Sequence, residues 1–128
     1  MEYEALCAYL ESKPGARQDM PFGPDALVFK VLDKMFALVA WQEDPLTISL
    51  KADPVDAVIL RKLYKAIAPG YHMNKKHWNT ITLDGSVPDD EIQLMIDESY
   101  SLVVEGMTKV KQNQLKKLGW EQHGKDLG

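Results

Sequence analysis

The stretch from Ala26 to Gln42 constrains the fold more than any other, because almost every position in it is apolar or aromatic. It is interrupted only around Leu32-Asp33-Lys34, and it is rich in valine and phenylalanine, which are enriched in strands. One buried helix is the alternative, but the residue types and the polar interruption favour two strands with a hairpin near Asp33-Lys34. Apolar residues at both alternating positions predict strands that are covered on both sides and lie centrally in a sheet.

Three other segments carry the apolar spacing of helices. The first begins at Tyr3 and is ended by Pro14-Gly15, and the second begins at Asp53-Pro54, where the aspartate supplies an N-cap. The third opens with a run of acidic residues after Pro88 and keeps its apolar stripe as far as Val110. The predicted helices cover residues 2–13, residues 54–67 and a long segment from 88 to about 111.

Two further strands complete the predicted sheet. Leu46, Ile48 and Leu50 alternate with polar residues, which indicates a strand with one face in the core and the other in water. The segment from His77 to Leu83 has the composition of another strand. Strands grouped between an N-terminal helix and two later helices predict an α+β domain built on an antiparallel sheet, with helices on one face. The other face is expected to display Lys30, Thr47, Ser49 and Lys51.

Length and composition indicate a small folded protein. A chain of 128 residues with 45% hydrophobic residues fits one globular domain, predicted over residues 1–112, with a polar and mobile tail over residues 113–128. The single cysteine, Cys7, is typical of a reduced intracellular protein. Because the chain has neither an apolar signal core nor a membrane-length apolar stretch, we expect it in the cytoplasm without membrane contact.

The charge is unevenly distributed along the chain. The net charge is −4, which disfavours a polyanionic partner unless basic side chains are gathered on one surface. Residues 84–106 carry seven acidic and no basic side chains, whereas residues 30–83 carry eight basic and five acidic ones. The overall sign therefore hides a local basic region, although an ordinary solvated surface with paired charges would have the same composition.

The segment from Pro69 to Asn79 contains the greatest variety of functional side chains. Its two lysines suit phosphate contacts, its tyrosine and tryptophan suit stacking on bases, and its asparagines suit hydrogen bonds to base edges. Arg61, Lys62 and Lys65 on the second helix would extend this footprint. The alternative is a loop in which Trp78 anchors the core, Tyr71 packs at the rim and the lysines are solvated.

The sequence contains no recognisable catalytic or metal-binding set. His72 and His77 lie five residues apart, which matches no common metal-ligand spacing, and Cys7 falls in the apolar stripe of the first helix. Ser99 falls in the stripe of the third helix, where its hydroxyl is expected to bond to the carbonyl one turn earlier. We therefore expect no cofactor, no metal and no enzymatic activity.

Several motifs together resemble the MmcQ/YjbR family of small bacterial proteins, over about residues 1–110. They include Pro21-Phe22-Gly23, Lys34-Met35-Phe36-Ala37, Leu50-Lys51-Ala52-Asp53-Pro54, the block from Gly70 to Asn79, and Val87-Pro88-Asp89. One departure is Asp33, where family members more often have a glycine before the lysine.

The resemblance implies a fold similar to CyaY and to secretion chaperones, with hairpins described as a double-wing DNA-binding motif. It also implies that strands and wings offer basic and polar side chains to DNA. The residues that match the family motif at those positions are Lys30, Lys34, Lys51, His72, Asn74, Lys75, Lys76, His77 and Asn79.

Two hypotheses of function follow. The first is a DNA-binding protein that contacts the phosphate backbone through a basic surface of the sheet and loop. The second is a module that binds a protein or small molecule without affinity for nucleic acid, using the open sheet face with Tyr71 and Trp78 as partner-binding residues. The net negative charge favours the second hypothesis.

Overall fold

The computed structural model describes residues 1–70 and 73–121. The chain forms six strands and four helices in these ranges, and its fold class is α+β, as predicted. Their bounds are α1 Tyr3–Glu11, β1 Ala16–Asp19, β2 Leu27–Val31, β3 Lys34–Ala40, β4 Thr47–Lys51, α2 Pro54–Leu63, β5 Ile67–Pro69, β6 Trp78–Thr82, α3 Asp89–Glu105 and α4 Lys109–Lys117.

The six strands form one antiparallel sheet in the order β1-β2-β3-β4-β6-β5. The strands β2 and β3, which come from the run between Ala26 and Gln42, both lie inside the sheet, as the apolar composition of that run predicts, and β4 lies beside β3. Helix α3 packs on β3 and β4, α1 contacts β1, and α2 lies against β5 and β6. The predicted α+β fold with an antiparallel sheet is therefore confirmed.

The hydrophobic core lies between the sheet and the helices. Phe36 of β3 packs edge-on against Phe29 of β2 and Tyr100 of α3, at ring-centroid distances of 6.5 and 5.4 Å. Leu6 and Leu10 of α1 are fully buried in the same cluster. The opposite face of the sheet carries no helix among the described residues, and its side chains include the half-buried Leu38 and Thr80 and the buried Ser49.

The predicted hairpin joins β2 and β3 through a turn at Leu32-Asp33, because Val31 pairs with Lys34. Leu32 has a φ of 54°, a left-handed conformation that is unfavourable for a residue with a branched side chain. The Arg17 guanidinium donates hydrogen bonds to the Leu32 carbonyl oxygen from Nε at 3.3 Å and from Nη2 at 3.1 Å. These bonds stabilise the turn from β1.

Two predicted helices end earlier than expected. The second helix, predicted to residue 67, ends at Leu63, and the chain continues into the short strand β5. The third helix is interrupted after Glu105, because Gly106 caps α3 and Thr108 caps a new helix, α4, by accepting from the Lys111 amide. The strands β1 and β5 were absent from the sequence prediction, since each is short and lies at a sheet edge.

The predicted domain boundary at residue 112 falls inside α4, so the expectation of a mobile tail from residue 113 is wrong as far as Trp120. Leu115 is fully buried in the core, and Trp120 is 6% exposed. Their burial explains the correction, because buried apolar side chains help to hold a largely polar helix against the core. Residues 122–128 lie outside the described residues. No helix in the described ranges is long and apolar enough to span a membrane.

Candidate binding cavity on the open face of the sheet

A cavity of about 750 Å³ lies on the sheet face that the helices leave open. Its floor is formed by the outward-facing side chains of three adjacent strands, which include Leu38 of β3, Ser49 of β4 and Thr80 of β6. These three residues lie directly opposite one another in the register of the sheet. A volume of this size is typical of sites that bind small organic molecules.

Two loops form the walls of the cavity. Phe22, in the connection between β1 and β2, is 70% exposed and lines one side, while Met73 and Asn74 line another. The Trp41 indole donates to the carbonyl oxygen of Pro24 at 2.9 Å, which ties the loop of Phe22 to the residue that follows β3. The cavity is therefore held between the sheet and loops that are anchored to it.

The lining is mainly apolar, with a few polar groups in fixed positions. Met35, Leu38 and Trp78 supply apolar surface. The hydroxyls of Ser49 and Thr80 lie 2.8 Å apart in a hydrogen bond across β4 and β6. A small number of polar groups on an apolar surface can orient a ligand by hydrogen bonding, while the apolar surface buries the body of the ligand.

Glu43 is the only charged residue among the described side chains that line this cavity. Thr47 donates a long hydrogen bond of 3.4 Å to its Oε2. No lysine, arginine or histidine lines the described part of the cavity. The local charge is thus negative, which favours a ligand with a cationic or hydrogen-bond-donating group at this end and disfavours phosphate.

The predicted DNA-binding lysines are brought partly together, but at one end of the sheet and not in the cavity. Lys34 begins β3 and Lys51 ends β4, so the antiparallel register puts both at the same end. Lys51 also pairs in register with Trp78, two residues after Lys76. Lys34 and Lys76 are exposed, and Lys51 and His77 are half-buried.

Lys30 also points from the open face, but its charge is already paired. Its Nζ lies 3.1 Å from Oδ2 of Asp19 on the neighbouring strand β1. The hydrogen bond from Lys30 lowers the pKa of the Asp19 carboxyl, and the bond from the Met20 amide lowers it further. Contact with a phosphate would require Lys30 to exchange this partner.

The loop before β6 is organised by its own polar side chains. Asn74 accepts from the Lys76 amide at 3.0 Å through Oδ1, and Lys75 donates from Nζ to the Gly70 carbonyl oxygen at 3.1 Å. Arg61 of α2 donates to the carbonyl oxygen of Lys75. Arg61, Asn74 and Lys75 therefore hold the loop in place, a role that the sequence prediction assigned to none of them.

Asn79 belongs to the predicted DNA-binding set, but the structure places it on the other side of the sheet. Its side chain faces the helices, is 2% exposed, and accepts from Arg61 Nε at 2.7 Å while donating to the Ala57 carbonyl oxygen at 3.3 Å. Because β6 alternates its faces, Asn79 points away from the open face on which Trp78 and Thr80 lie. A base edge in solution cannot reach this amide.

Trp78 is half-buried on the open face and is not a member of the helix-side core. It lines the cavity, so the interpretation as a core anchor is replaced by one as a cavity wall. Its neighbour Gly70 has no room for a side chain, because a Cβ at this position would lie 2.8 Å from the Cβ of Trp78. Tyr71 and His72, predicted to bind a partner and DNA respectively, lie outside the described residues.

Sequence reasoning named Ser49, Thr47, Asn74 and Trp78 but missed most of the apolar lining. Met35 and Leu38 belong to the apolar run from Ala26 to Gln42, where both faces of each strand have the same composition. That signal does not distinguish side chains that face helices from side chains that face a cavity. Glu43 comes directly after this run, and no sequence pattern assigns it to a site.

The fold and the cavity define a class of protein: a small α+β protein with one sheet face under helices and a binding cavity on the other. Comparison with known proteins gives the family. The YjbR family model matches residues 11–102, which is most of the chain. The chain belongs to the YjbR family, as its sequence motifs predict.

Relatives and solved structures agree with this assignment. The chain is 37% identical over 118 residues to the uncharacterised protein YjbR of Escherichia coli K12, covering 92% of this chain and all of that protein. The crystal structure of Deinococcus radiodurans protein DR2400 shares 41% identity and superposes with a TM-score of 0.85, covering 94% of this chain and 91% of that one. A crystal structure from Pseudomonas syringae, at 33% identity, gives a TM-score of 0.70 over 80% of this chain and 98% of that one.

Proposed function

We propose that the protein binds a small organic molecule in the cavity on the open face of the sheet and that it acts by binding and not by catalysis. The observation that carries this proposal is the cavity itself, with a volume of about 750 Å³ and a mainly apolar lining. Ligand sites in proteins combine such a lining with a few polar groups that fix the orientation of the ligand. In this cavity the polar groups are the hydroxyls of Ser49 and Thr80 and the carboxylate of Glu43.

The lining also specifies the chemistry of the ligand. A flat apolar body would pack against Leu38, Met35 and Trp78, and a positively charged amine would lie toward Glu43. An anion is disfavoured because Glu43 is the only charge among the described residues of the lining. The proposed ligand class is therefore a small amphipathic amine.

The experiment compares two probes that share an aromatic body and differ in charge, 1-naphthylmethylamine and 1-naphthoate. Each is titrated into isotope-labelled protein while backbone amide shifts are followed by NMR. The amine is expected to shift Ser49, Trp78 and Thr80, and to bind about tenfold more tightly than the acid. The variant Glu43→Gln should remove most of that preference and keep the affinity for the aromatic body.

A variant that fills the cavity provides the second arm. Leu38→Trp should abolish binding of both probes, whereas Leu94→Trp on the exposed surface of α3 should leave it unchanged. The proposal fails if neither probe shifts the cavity residues, or if both bind Leu38→Trp as well as the parent protein. If both probes bind in the cavity with equal affinity, the cavity remains the proposed binding site, but an amine is no longer the proposed ligand class.

DNA binding is the second candidate, and one observation favours it. The register gathers Lys34 and Lys51 at one end of the sheet, and Lys76 precedes the strand that pairs with Lys51. Phosphates of a duplex would lie along this end, outside the cavity. Against it stand the net charge of −4, the ion pair of Lys30 with Asp19 and the tethering of Lys75.

Fluorescence anisotropy with a labelled duplex, at about 50 and 200 mM salt, tests this candidate. Binding through the lysines would weaken steeply with salt, and Lys75→Ala/Lys76→Ala would flatten the log–log slope by about 0.9 for each phosphate that is no longer neutralised. The matched control is Lys116→Ala/Lys117→Ala, which removes the same charge from the end of α4, away from the loop before β6. Equal slopes for the two double variants would show that Lys75 and Lys76 are not part of a DNA-binding surface.

A further inference from the structure

The apolar stripe of α2 is exposed instead of buried. Val55, Val58, Ile59 and Leu63 recur at helical spacing, and their side chains are 67%, 43%, 48% and 67% exposed. In α2 the only fully buried residue is Ala57. A helix in a small protein ordinarily turns such a stripe toward the core, so an exposed one indicates a surface that another molecule covers.

The stripe borders a groove between α2 and α3. The groove has a volume of about 240 Å³ and is lined by Ile59 and Leu60 from α2 and by Leu94 and Met95 from α3. Leu94 is itself 60% exposed. The apolar surface therefore continues from one helix across to the other, and a groove between two helices of this kind is a surface on which a third, amphipathic helix can lay its apolar face.

Carboxylates that lack a cationic partner flank this groove. Asp56 and Glu98 line it, and among the residues that the structure describes neither forms an ion pair. Partial burial raises the pKa of the Glu98 carboxyl, and the negative charges of Asp56, Glu105 and Asp53 raise it further. Lys51 is the one cation in the described lining, so negative charge prevails.

These carboxylates do not form a metal site. Within residues 1–70 and 73–121, no group of three or more histidine, cysteine, aspartate or glutamate side chains is placed to hold a metal ion. The combination of apolar stripe and unpaired acids instead fits a partner that supplies both apolar and basic side chains.

A second copy of this chain fits the surface poorly. In a two-fold dimer the same patch meets itself, so two surfaces on which the Asp56 and Glu98 carboxylates outnumber the Lys51 ammonium would be brought together. Like charges brought together in this way oppose association. A partner of the opposite charge has no such penalty.

We propose that the groove between α2 and α3 binds an amphipathic helix of a partner protein, with an apolar stripe flanked by lysine or arginine. The apolar side chains of that helix would lie against Ile59, Leu63 and Leu94, and its basic side chains would pair with Asp56 and Glu98. This surface is on the helix side of the sheet, opposite the cavity, so the two sites can be occupied together.

The experiment uses two synthetic peptides of about 18 residues, long enough to form a helix on binding. Both carry leucine at helical spacing on one face, and the remaining positions are mainly lysine in one peptide and mainly glutamate in the other. Binding to the full chain is measured by isothermal titration calorimetry. The lysine peptide is expected to bind at least about tenfold more tightly than the glutamate peptide.

Two sets of variants locate the binding surface. Leu63→Ser should weaken binding of the lysine peptide at least about tenfold, while Leu118→Ser, an exposed leucine after α4, should leave it unchanged. The charge-swap variant Asp56→Lys/Glu98→Lys should reverse the preference, so that the glutamate peptide binds more tightly. All of these positions are exposed, so the variants are expected to fold.

Three outcomes would overturn the proposal. The first is that neither peptide binds, and the second is that Leu63→Ser and Leu118→Ser have equal effects. The third is that light scattering shows a dimer of the parent protein that Leu63→Ser dissociates, because a second copy would then cover the surface.

Discussion

The Ser99 hydroxyl on α3 donates to the carbonyl oxygen of Phe36 on β3 at 2.6 Å. The hydroxyl oxygen of Ser99 also accepts from the Lys51 amide of β4 at 2.9 Å. The register of β2 and β3 shifts where Phe36 is the extra residue, between Met35 and Ala37. A single buried hydroxyl thus bridges two strands beside a β-bulge and fastens the helix layer to the sheet.

Replacing Ser99 by alanine should destabilise the protein by about 2–4 kcal/mol, because the Phe36 carbonyl and the Lys51 amide would both lose a partner in a buried environment. Equilibrium unfolding in urea measures the loss. Ser101→Ala, two residues further along α3 at a half-buried position, is the matched control and should change stability by less than about 0.5 kcal/mol. Equal losses for the two variants would contradict the bridging role.

Ser99 also illustrates how far the sequence could predict the fold. The hydrophobic spacing placed Ser99 on the buried side of a helix, which is correct, and predicted a bond within that helix, which is wrong. Local patterns identify an element and its buried face because periodicity is a local property. They do not reveal which distant backbone group a bulge leaves unpaired, since the bulge arises from the pairing of two strands.

The same limit applies to the candidate site. The alternation of Thr47 and Ser49 with apolar residues correctly predicted a sheet face without helices. The depth of the cavity depends on the loop that carries Phe22 and on the loop of Met73, whose positions are set by long-range bonds such as that of Trp41 to Pro24. The sequence therefore predicts the floor of the site and not its walls.

The contact of Arg61 with Asn79 is expected to be a structural one. Asn79→Ala would remove the acceptor for Arg61 Nε and the donor to the Ala57 carbonyl oxygen, at a cost of about 1–3 kcal/mol. Chemical denaturation of Asn79→Ala and of Asn113→Ala, an exposed position on α4, provides the comparison. If Asn79→Ala were as stable as the control and lost only ligand or DNA binding, the assignment of Asn79 to the fold would be incorrect.

Leu115 on α4 and Leu118 directly after it are two leucines with very different burial. Leu115 is fully buried, whereas Leu118 is 58% exposed. Leu115→Ala should destabilise the protein by about 2–5 kcal/mol, because it removes buried surface and leaves a cavity against the core. Leu118→Ala should cost less than about 0.5 kcal/mol. Thermal unfolding of both variants checks this prediction, and equal midpoints would mean that α4 does not pack on the core in solution.

Glu98 gives a pH dependence whose sign is fixed by the direction of its pKa shift. Partial burial, followed by the charges of Asp56, Glu105 and Asp53, raises its pKa above the usual value of 4.5. The folded protein then holds this proton to a higher pH than the unfolded chain does. The carboxyl therefore costs no stability below the unfolded-state pKa, and its cost grows as the pH rises through the raised pKa of the folded state.

Glu98→Gln removes this ionisation, so it should raise the melting temperature near neutral pH and have little effect at about pH 4. The measurement is thermal unfolding of both proteins at several pH values between these limits. Asp25→Asn, an exposed acid in the loop before β2, is the control for a general change of net charge. A gain for Glu98→Gln that is the same at every pH, or that Asp25→Asn reproduces, would contradict a raised pKa of the Glu98 carboxyl in the folded protein. A gain confined to neutral pH would show that the ionised Glu98 carboxylate destabilises the fold, through its partial burial first and through the charges of Asp56, Glu105 and Asp53 second.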